Sequence, residues 1–235
     1  MVQILCLADQ PWHSAGARTQ QLMVRLKNAQ VLYFEPPART WRQPGREMRP
    51  GLTVYTLPPS LEVEENRRLL FRRRYRRMAS FILKQMARHR FRDPLLWCTA
   101  PEQVHLLDDL PHQGVVYDCG RDWPDPPPEW ESDLALTADV VFAASPGLIH
   151  HLAPCNDNIA LLPNGVNYPM FSRTDTECPP ELAGLRGPVL GFHGAIWEDL
   201  ELEPVLYAAQ AMPECTFGDA EEAKKILEEN QEYIG

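Results

Sequence analysis

Short apolar runs alternate with amphipathic stretches along most of the chain, and this alternation predicts a parallel sheet covered by helices on both faces. The first run, residues 3–8, reads as a buried strand. A polar loop over 9–17 then leads into a helix in which Leu22, Met23 and Leu26 have helical spacing. Residues 31–34 read as a second strand closed by Pro36, and 52–57 as a third bounded by Gly51 and Pro58. A long helix over about 62–89 carries Phe71, Tyr75, Met78, Ile82 and Met86 on one apolar face. Four more apolar runs, 95–98, 114–117, 140–144 and 159–162, are separated by helical stretches near 101–108, 129–137 and 145–152. Seven strands with their crossovers make one α/β domain, a Rossmann-like parallel sheet spanning about residues 1–170.

Residues 171–187 turn polar and rich in Pro and Gly, as a linker does. The alternation then restarts: strand 189–192, turn 193–196, helix from about 198 to 211, strand 215–217. A tail over 219–233 follows, with Glu and Lys at helical spacing. The expectation is a partial second α/β domain over 188–235.

Composition changes this picture in three places. Proline is 23 of 235 residues and clusters at Pro36-Pro37, Pro58-Pro59, 124–128 and Pro179-Pro180, each of which should end an element. The net charge of −9 conceals eleven Lys/Arg and no Asp/Glu in residues 67–92. The predicted long helix therefore has a basic face and an apolar face. Arg72, Arg73, Arg76 and Arg77 on it could meet anionic lipid headgroups, or could simply be solvated beside an ordinary packing face. Nucleic acid is disfavoured as a partner, because the chain is acidic overall and carries no nucleic-acid motif. The six cysteines, Cys6, Cys98, Cys119, Cys155, Cys178 and Cys215, are scattered without C-x-x-C spacing and read as reduced, mostly core thiols rather than metal ligands or a disulfide framework. No apolar run approaches the roughly 20 residues needed to cross a bilayer, and no secretory leader is evident. The expected location is cytoplasmic, with peripheral contact at the inner membrane face if the basic helix meets lipid.

Three stretches carry a resemblance to a known family. Leu162-Pro163-Asn164-Gly165-Val166-Asn167 followed by Phe171 resembles the segment that closes the first domain of many nucleotide-sugar glycosyltransferases of the GT-B fold. Gly187-Pro188-Val189-Leu190-Gly191-Phe192-His193-Gly194 looks like the first strand and glycine turn of their second domain. Residues 9–21, followed by Val31-Leu32-Tyr33-Phe34-Glu35-Pro36-Pro37, are similar to the opening of bacterial enzymes of family 4 type related to teichuronic-acid biosynthesis. Tyr117-Asp118-Cys119 with Asp122 resembles that group's Y-D-C-x-D-D. The resemblance implies transfer of a sugar from a nucleotide-diphosphate donor to a hydroxyl acceptor, a glycan or lipid-linked, in cell-envelope polysaccharide synthesis. It implies no cofactor beyond that donor substrate.

Residue by residue, the loop after the first strand holds Trp12, Ser14, Gly16 and Arg18 as acceptor-binding candidates, since loops at the carboxyl ends of parallel strands collect ligands. The plain alternative there is a strand–helix loop N-capped by Ser14. Asp118 and Asp122 are catalytic candidates: a carboxylate at that sheet edge can orient a hydroxyl or accept its proton, or can merely cap a turn. Asn164 sits in an Asn-Gly turn that serves either the donor or the domain boundary. Gly194 and Ala195 are donor-binding candidates at a helix start, where backbone N–H groups favour a diphosphate. His150-His151 lacks the carboxylate pattern of a metal site, and neither a D-x-D nor a phosphate-loop motif occurs. Only 48 residues follow 187, short for a second domain. A partner chain covering that domain is one expectation. A non-catalytic binding or regulatory remnant is the alternative to an enzyme.

Overall fold

The computed structural model describes residues 1–12, 17–38, 44–59, 67–172, 184, 187–191 and 201–217, the side chains of 170 and 171 excepted. The chain divides into two compact units, Met1–Val166 and Asn167–Gly235.

In the first unit an eight-stranded sheet has the order β3-β4-β2-β1-β5-β6-β7-β8. Its strands are β1 (Val2–Leu7), β2 (Ala29–Glu35), β3 (Arg46–Arg49), β4 (Leu52–Thr56), β5 (Leu95–Cys98), β6 (Gly114–Cys119), β7 (Val140–Ala143) and β8 (Ile159–Leu161). All neighbours are parallel except β3 and β4, which form an antiparallel hairpin at one edge. The hairpin turns at Gly51, whose φ of 81° lies in the left-handed region that glycine enters without a Cβ clash. The α/β, Rossmann-like reading of the sequence thus holds.

Period-2 alternation builds a core on each side of the sheet. Leu5, Leu7, Leu32, Phe34, Leu96, Val115, Tyr117 and Val141 face one layer, and Ile4, Cys6, Val31, Tyr33 and Val54 face the other. The first layer is roofed by α2 (Arg68–Arg88), a 3-10 helix (Pro101–Asp109), α3 (Pro128–Thr137) and α4 (Pro146–Leu152). On α2, Phe71, Tyr75, Met78, Ala79, Ile82, Gln85 and Met86 are buried, which is the face its apolar spacing predicts. On the second layer α1 (Arg18–Arg25) presses Met23 into the sheet.

The strand missing from the sequence reading is β3. Its residues Arg46-Glu47-Met48-Arg49 give no apolar signal because an edge strand need bury little. Arg49 nevertheless has a structural task. Its guanidinium donates to the carbonyls of Met23 (3.1 Å), Val24 (3.0 Å) and Leu26 (2.7 Å), acceptors that the end of α1 leaves unpaired. The stretch near 101–108 is a 3-10 helix rather than an α-helix, and α2 is described from Arg68. Of the cysteines, Cys6, Cys98 and Cys119 are buried and free, and burial pushes the Cys98 and Cys119 thiols up to about 12.

In the second unit the described elements are α5 (Tyr168–Phe171), β9 (Val189–Leu190), α6 (Leu202–Ala211) and β10 (Thr216–Phe217), with β9 and β10 paired in parallel. Gly187 precedes β9 at φ 77°, and a Cβ there would collide with the Glu214 carbonyl oxygen, so only glycine fits. The predicted linker falls mostly, and the predicted tail helix wholly, outside the described residues.

Two adjacent residues on α2 test this packing. Ile82 is fully buried and Leu83 is 39% exposed. Ile82→Ala should cost about 3 kcal/mol of unfolding free energy and Leu83→Ala no more than about 0.5 kcal/mol, measured by urea denaturation.

Candidate functional site

Strand order locates the site before any side chain is considered. The chain runs β1 to β2 in one direction, then returns to lay β5 on the other side of β1, so the topological switch point lies between β1 and β5. Loops that leave neighbouring strands in opposite directions open a crevice at the strands' carboxyl ends. A cleft occupies this place, lined by Asp9 and Gln10 after β1, Ala17, Arg18 and Thr19 at the start of α1, Thr99 after β5, and Asp118, Gly120, Arg121 and Trp123 at and beyond the end of β6. Asn164, beyond β8, completes the lining. Its volume of about 160 Å³ suits one sugar ring or phosphate group, and falls short of the roughly 300 Å³ at which pockets for larger ligands begin.

Arg18 and Asp118 form its centre. The Arg18 guanidinium donates Nε (3.0 Å) and Nη2 (2.8 Å) to Asp118 Oδ1, and Nη1 (2.9 Å) to Asn164 Oδ1. The Asp118 side chain is fully buried and that of Arg18 is 15% exposed. The indole N–H of Trp97 reaches the second Asp118 oxygen at 3.4 Å. Burial lifts the Asp118 carboxyl above its ordinary range, and the Arg18 hydrogen bonds and charge only partly offset this. Gly120 leaves the guanidinium its path, since a Cβ there would lie 3.3 Å from Arg18 Cδ.

Asp9 is the other carboxyl in the lining. It stands within 3.2 Å of Thr99 Oγ1, which also receives the Asp9 backbone N–H at 2.9 Å. Burial raises its pKa, with hydrogen bonds from its own backbone and Thr99 and the Arg121 charge acting the other way. No ion pair holds Asp9 among the described residues. Arg121 instead lies over the Trp123 ring, 4.0 Å from its centroid, and the Trp123 indole N–H is shielded from solvent without a hydrogen-bond acceptor among the described residues. Trp123 thus keeps a hydrogen-bond donor that no described residue takes up.

The structure thus brings together Arg18, Asp118 and Asn164 of the residues named from sequence. Asp122 is exposed and outside the cleft lining, while its neighbours Arg121 and Trp123 line it. Trp12 is half-buried against the second core layer, its ring edge-on to Tyr33 at 5.0 Å and its backbone N–H given to Glu35 Oε1 at 2.8 Å. Ser14, Gly16, Gly194 and Ala195 lie outside the described residues. Arg72, Arg73, Arg76 and Arg77 are exposed on α2. His151 is engaged by Glu131 Oε2 at 2.9 Å. Asp9, Thr99, Arg121 and Trp123 were not singled out from sequence. Their signal was positional, the residues just past β1, β5 and β6, and it becomes readable only when the strand order is known.

Several solved glycosyltransferase structures superpose on this chain. Sucrose-phosphate synthase from Thermosynechococcus elongatus matches with a TM-score of 0.69 and 17% identity, over 100% of this chain and 68% of that one. An alpha,alpha-trehalose-phosphate synthase (UDP-forming) from Burkholderia vietnamiensis matches with a TM-score of 0.59 and 13% identity, over 99% and 67%. The catalytic domain of starch synthase IV from Arabidopsis thaliana, bound to ADP and acarbose, matches with a TM-score of 0.55 and 11% identity, over 92% and 68%. The fold is GT-B. No protein-family model matches the sequence, and no curated protein matches it significantly.

Two substitutions separate the roles of the two carboxyls. Asp118→Asn leaves Arg18 without its countercharge in a buried setting and should cost about 2–4 kcal/mol of stability. For Asp9, a carboxyl raised in the folded state contributes stability that is complete below the unfolded pKa, 3.8, and is lost as pH rises through the folded value. Asp9→Asn should therefore gain stability relative to the unmodified protein as pH goes from 4 to 7, in denaturant melts at fixed ionic strength.

Proposed function

We propose that this protein takes part in glycosyl transfer, moving a sugar from a nucleotide-diphosphate donor to a hydroxyl acceptor, with the cleft of the first unit holding the acceptor. The carrying observation is the placement of a small polar cleft at the switch point of a GT-B sheet, with a carboxyl outside any ion pair and an indole N–H without an acceptor, both among the described residues, in its wall. A single sugar ring fits that volume, and a sugar hydroxyl is what the Asp9 carboxyl is equipped to bind, while the buried Thr99 hydroxyl, engaged by the Asp9 backbone N–H and the Leu7 carbonyl, holds Asp9 in place. In this reading Asp118 is an anchor that holds Arg18 rather than a proton acceptor, because its oxygens are committed to Arg18 and Trp97. Asp9 orients the acceptor hydroxyl, and Trp123 donates to a second acceptor oxygen. The overlap with sucrose-phosphate, trehalose-phosphate and starch synthases supports a nucleotide-sugar donor. The opening through Glu35-Pro36-Pro37 and the Tyr117-Asp118-Cys119 segment support kinship with teichuronic-acid enzymes, and hence an envelope polysaccharide as product.

The experiment is a panel of nucleotide-sugars and saccharide acceptors, read by mass spectrometry for transfer and by calorimetry for binding. Transfer is expected with at least one pair. Trp123→Phe, which keeps the ring and removes the N–H, should raise the acceptor KM about five- to tenfold with kcat little changed. Neither binding nor transfer across the panel would sink the reading. Saturable acceptor binding without donor binding or turnover would replace it with a non-catalytic binding role.

A further inference from the structure

We propose that the first turns of α2 form a docking surface for an anionic lipid bilayer, placed beside the cleft so that a lipid-linked acceptor enters from the membrane plane. The docking stands by itself, and only the route of the acceptor rests on the glycosyl-transfer reading. Three observations carry it.

First, the surface combines charge with exposed apolar groups. Leu69 is 87% exposed and Leu70 50%. Arg67, Arg68, Arg72, Arg73, Arg76 and Arg77 surround the two leading leucines, all exposed. A helix that only roofed the sheet would need its inner stripe alone, which is already buried. Leucines set among arginines instead match the boundary between acyl chains and headgroups, where apolar tips enter and cations meet phosphates. Nucleic acid would use the arginines and leave the leucines without a role.

Second, the charge is segregated. Residues 67–92 hold eleven Lys/Arg and no acid, and Glu62, Glu64 and Glu65 just before them, outside the described residues, reduce that excess without reversing it. With a net charge of −9 overall, the remainder of the chain is repelled by an anionic surface, so this helix is the side that faces it.

Third, the patch and the cleft share an edge. A helix that follows a strand in a parallel crossover begins at the strands' carboxyl ends, and α2 follows β4 in this way. Glu102, in the first turn of the 3-10 helix after β5, lies within electrostatic range of Arg74 on α2 and of the cleft residues Asp9 and Arg121. The leading turns of α2 and the cleft therefore open toward the same side.

The test is sedimentation of the full chain with phosphatidylcholine vesicles, with and without phosphatidylglycerol, at physiological salt. Binding is expected only to the anionic vesicles. Leu69→Ser with Leu70→Ser should weaken it by about tenfold, and Arg72→Glu with Arg73→Glu by more than about tenfold. Unchanged circular dichroism and melting would show that these variants fold. No pelleting with anionic vesicles, undiminished binding by the leucine variant, or binding to oligonucleotides in place of vesicles would each overturn the docking. For the acceptor route, both variants should lose transfer to an acceptor embedded in vesicles and retain transfer to a short soluble one. Equal loss on both acceptors would overturn the route. Absence of transfer by the unmodified protein, with vesicle binding intact, would count against the glycosyl-transfer reading alone.

Discussion

The buried pair of Arg18 and Asp118 is the constraint on which the cleft depends. It joins two residues a hundred positions apart, one opening α1 and the other near the end of β6, and through Asn164 it reaches the segment beyond β8. Three segments of the cleft wall are therefore held to one guanidinium. The arrangement is costly to desolvate, as the upward push on the Asp118 carboxyl shows. A planar guanidinium repays that cost in geometry, because its N–H groups point in fixed directions and can tie three loops at once.

A second carboxylate performs the same office on the other side of β1. Glu35 ends β2, is 5% exposed, and accepts the Trp12 backbone N–H (2.8 Å), the Thr56 hydroxyl (2.7 Å) and the Arg46 guanidinium. It links the ends of β2 and β4 to β3 and to the residues leaving β1. Glu35 and Arg18 thus hold Trp12 and the start of α1, and the described lining of the cleft comes mostly from strand ends and the residues just beyond them. The proposed acceptor-side reading rests on two groups in the wall, the Asp9 carboxyl, outside any ion pair, and the Trp123 indole N–H, without an acceptor, both among the described residues.

The same economy explains the surface. The inner stripe of α2 satisfies the core, so the outward Leu69 and Leu70 are not demanded by it. An acidic protein with eleven Lys/Arg and no acid in residues 67–92 has an orientation in an electric field.

The amino-acid sequence by itself determined the layers of this protein. Period-2 apolar runs such as 3–8 and 31–34 and the stripe from Phe71 to Met86 dictate strands and a covering helix, because burial imposes those spacings wherever the elements finally lie. It also marked Arg18, Asp118 and Asn164, by motif and by their nearness to strand ends. It was silent about β3, whose Arg46 and Arg49 act through hydrogen bonds to distant partners rather than through an apolar pattern. It pointed to Asp122 where the cleft is lined by Arg121 and Trp123, since consecutive residues beyond a strand can face opposite ways and only packing chooses between them. Tertiary structure alone decided that Asp9 and Thr99 meet. They lie 90 residues apart, and they became neighbours when β5 was laid against β1, a choice of strand order made by long-range hydrogen bonding and burial that no local spacing encodes.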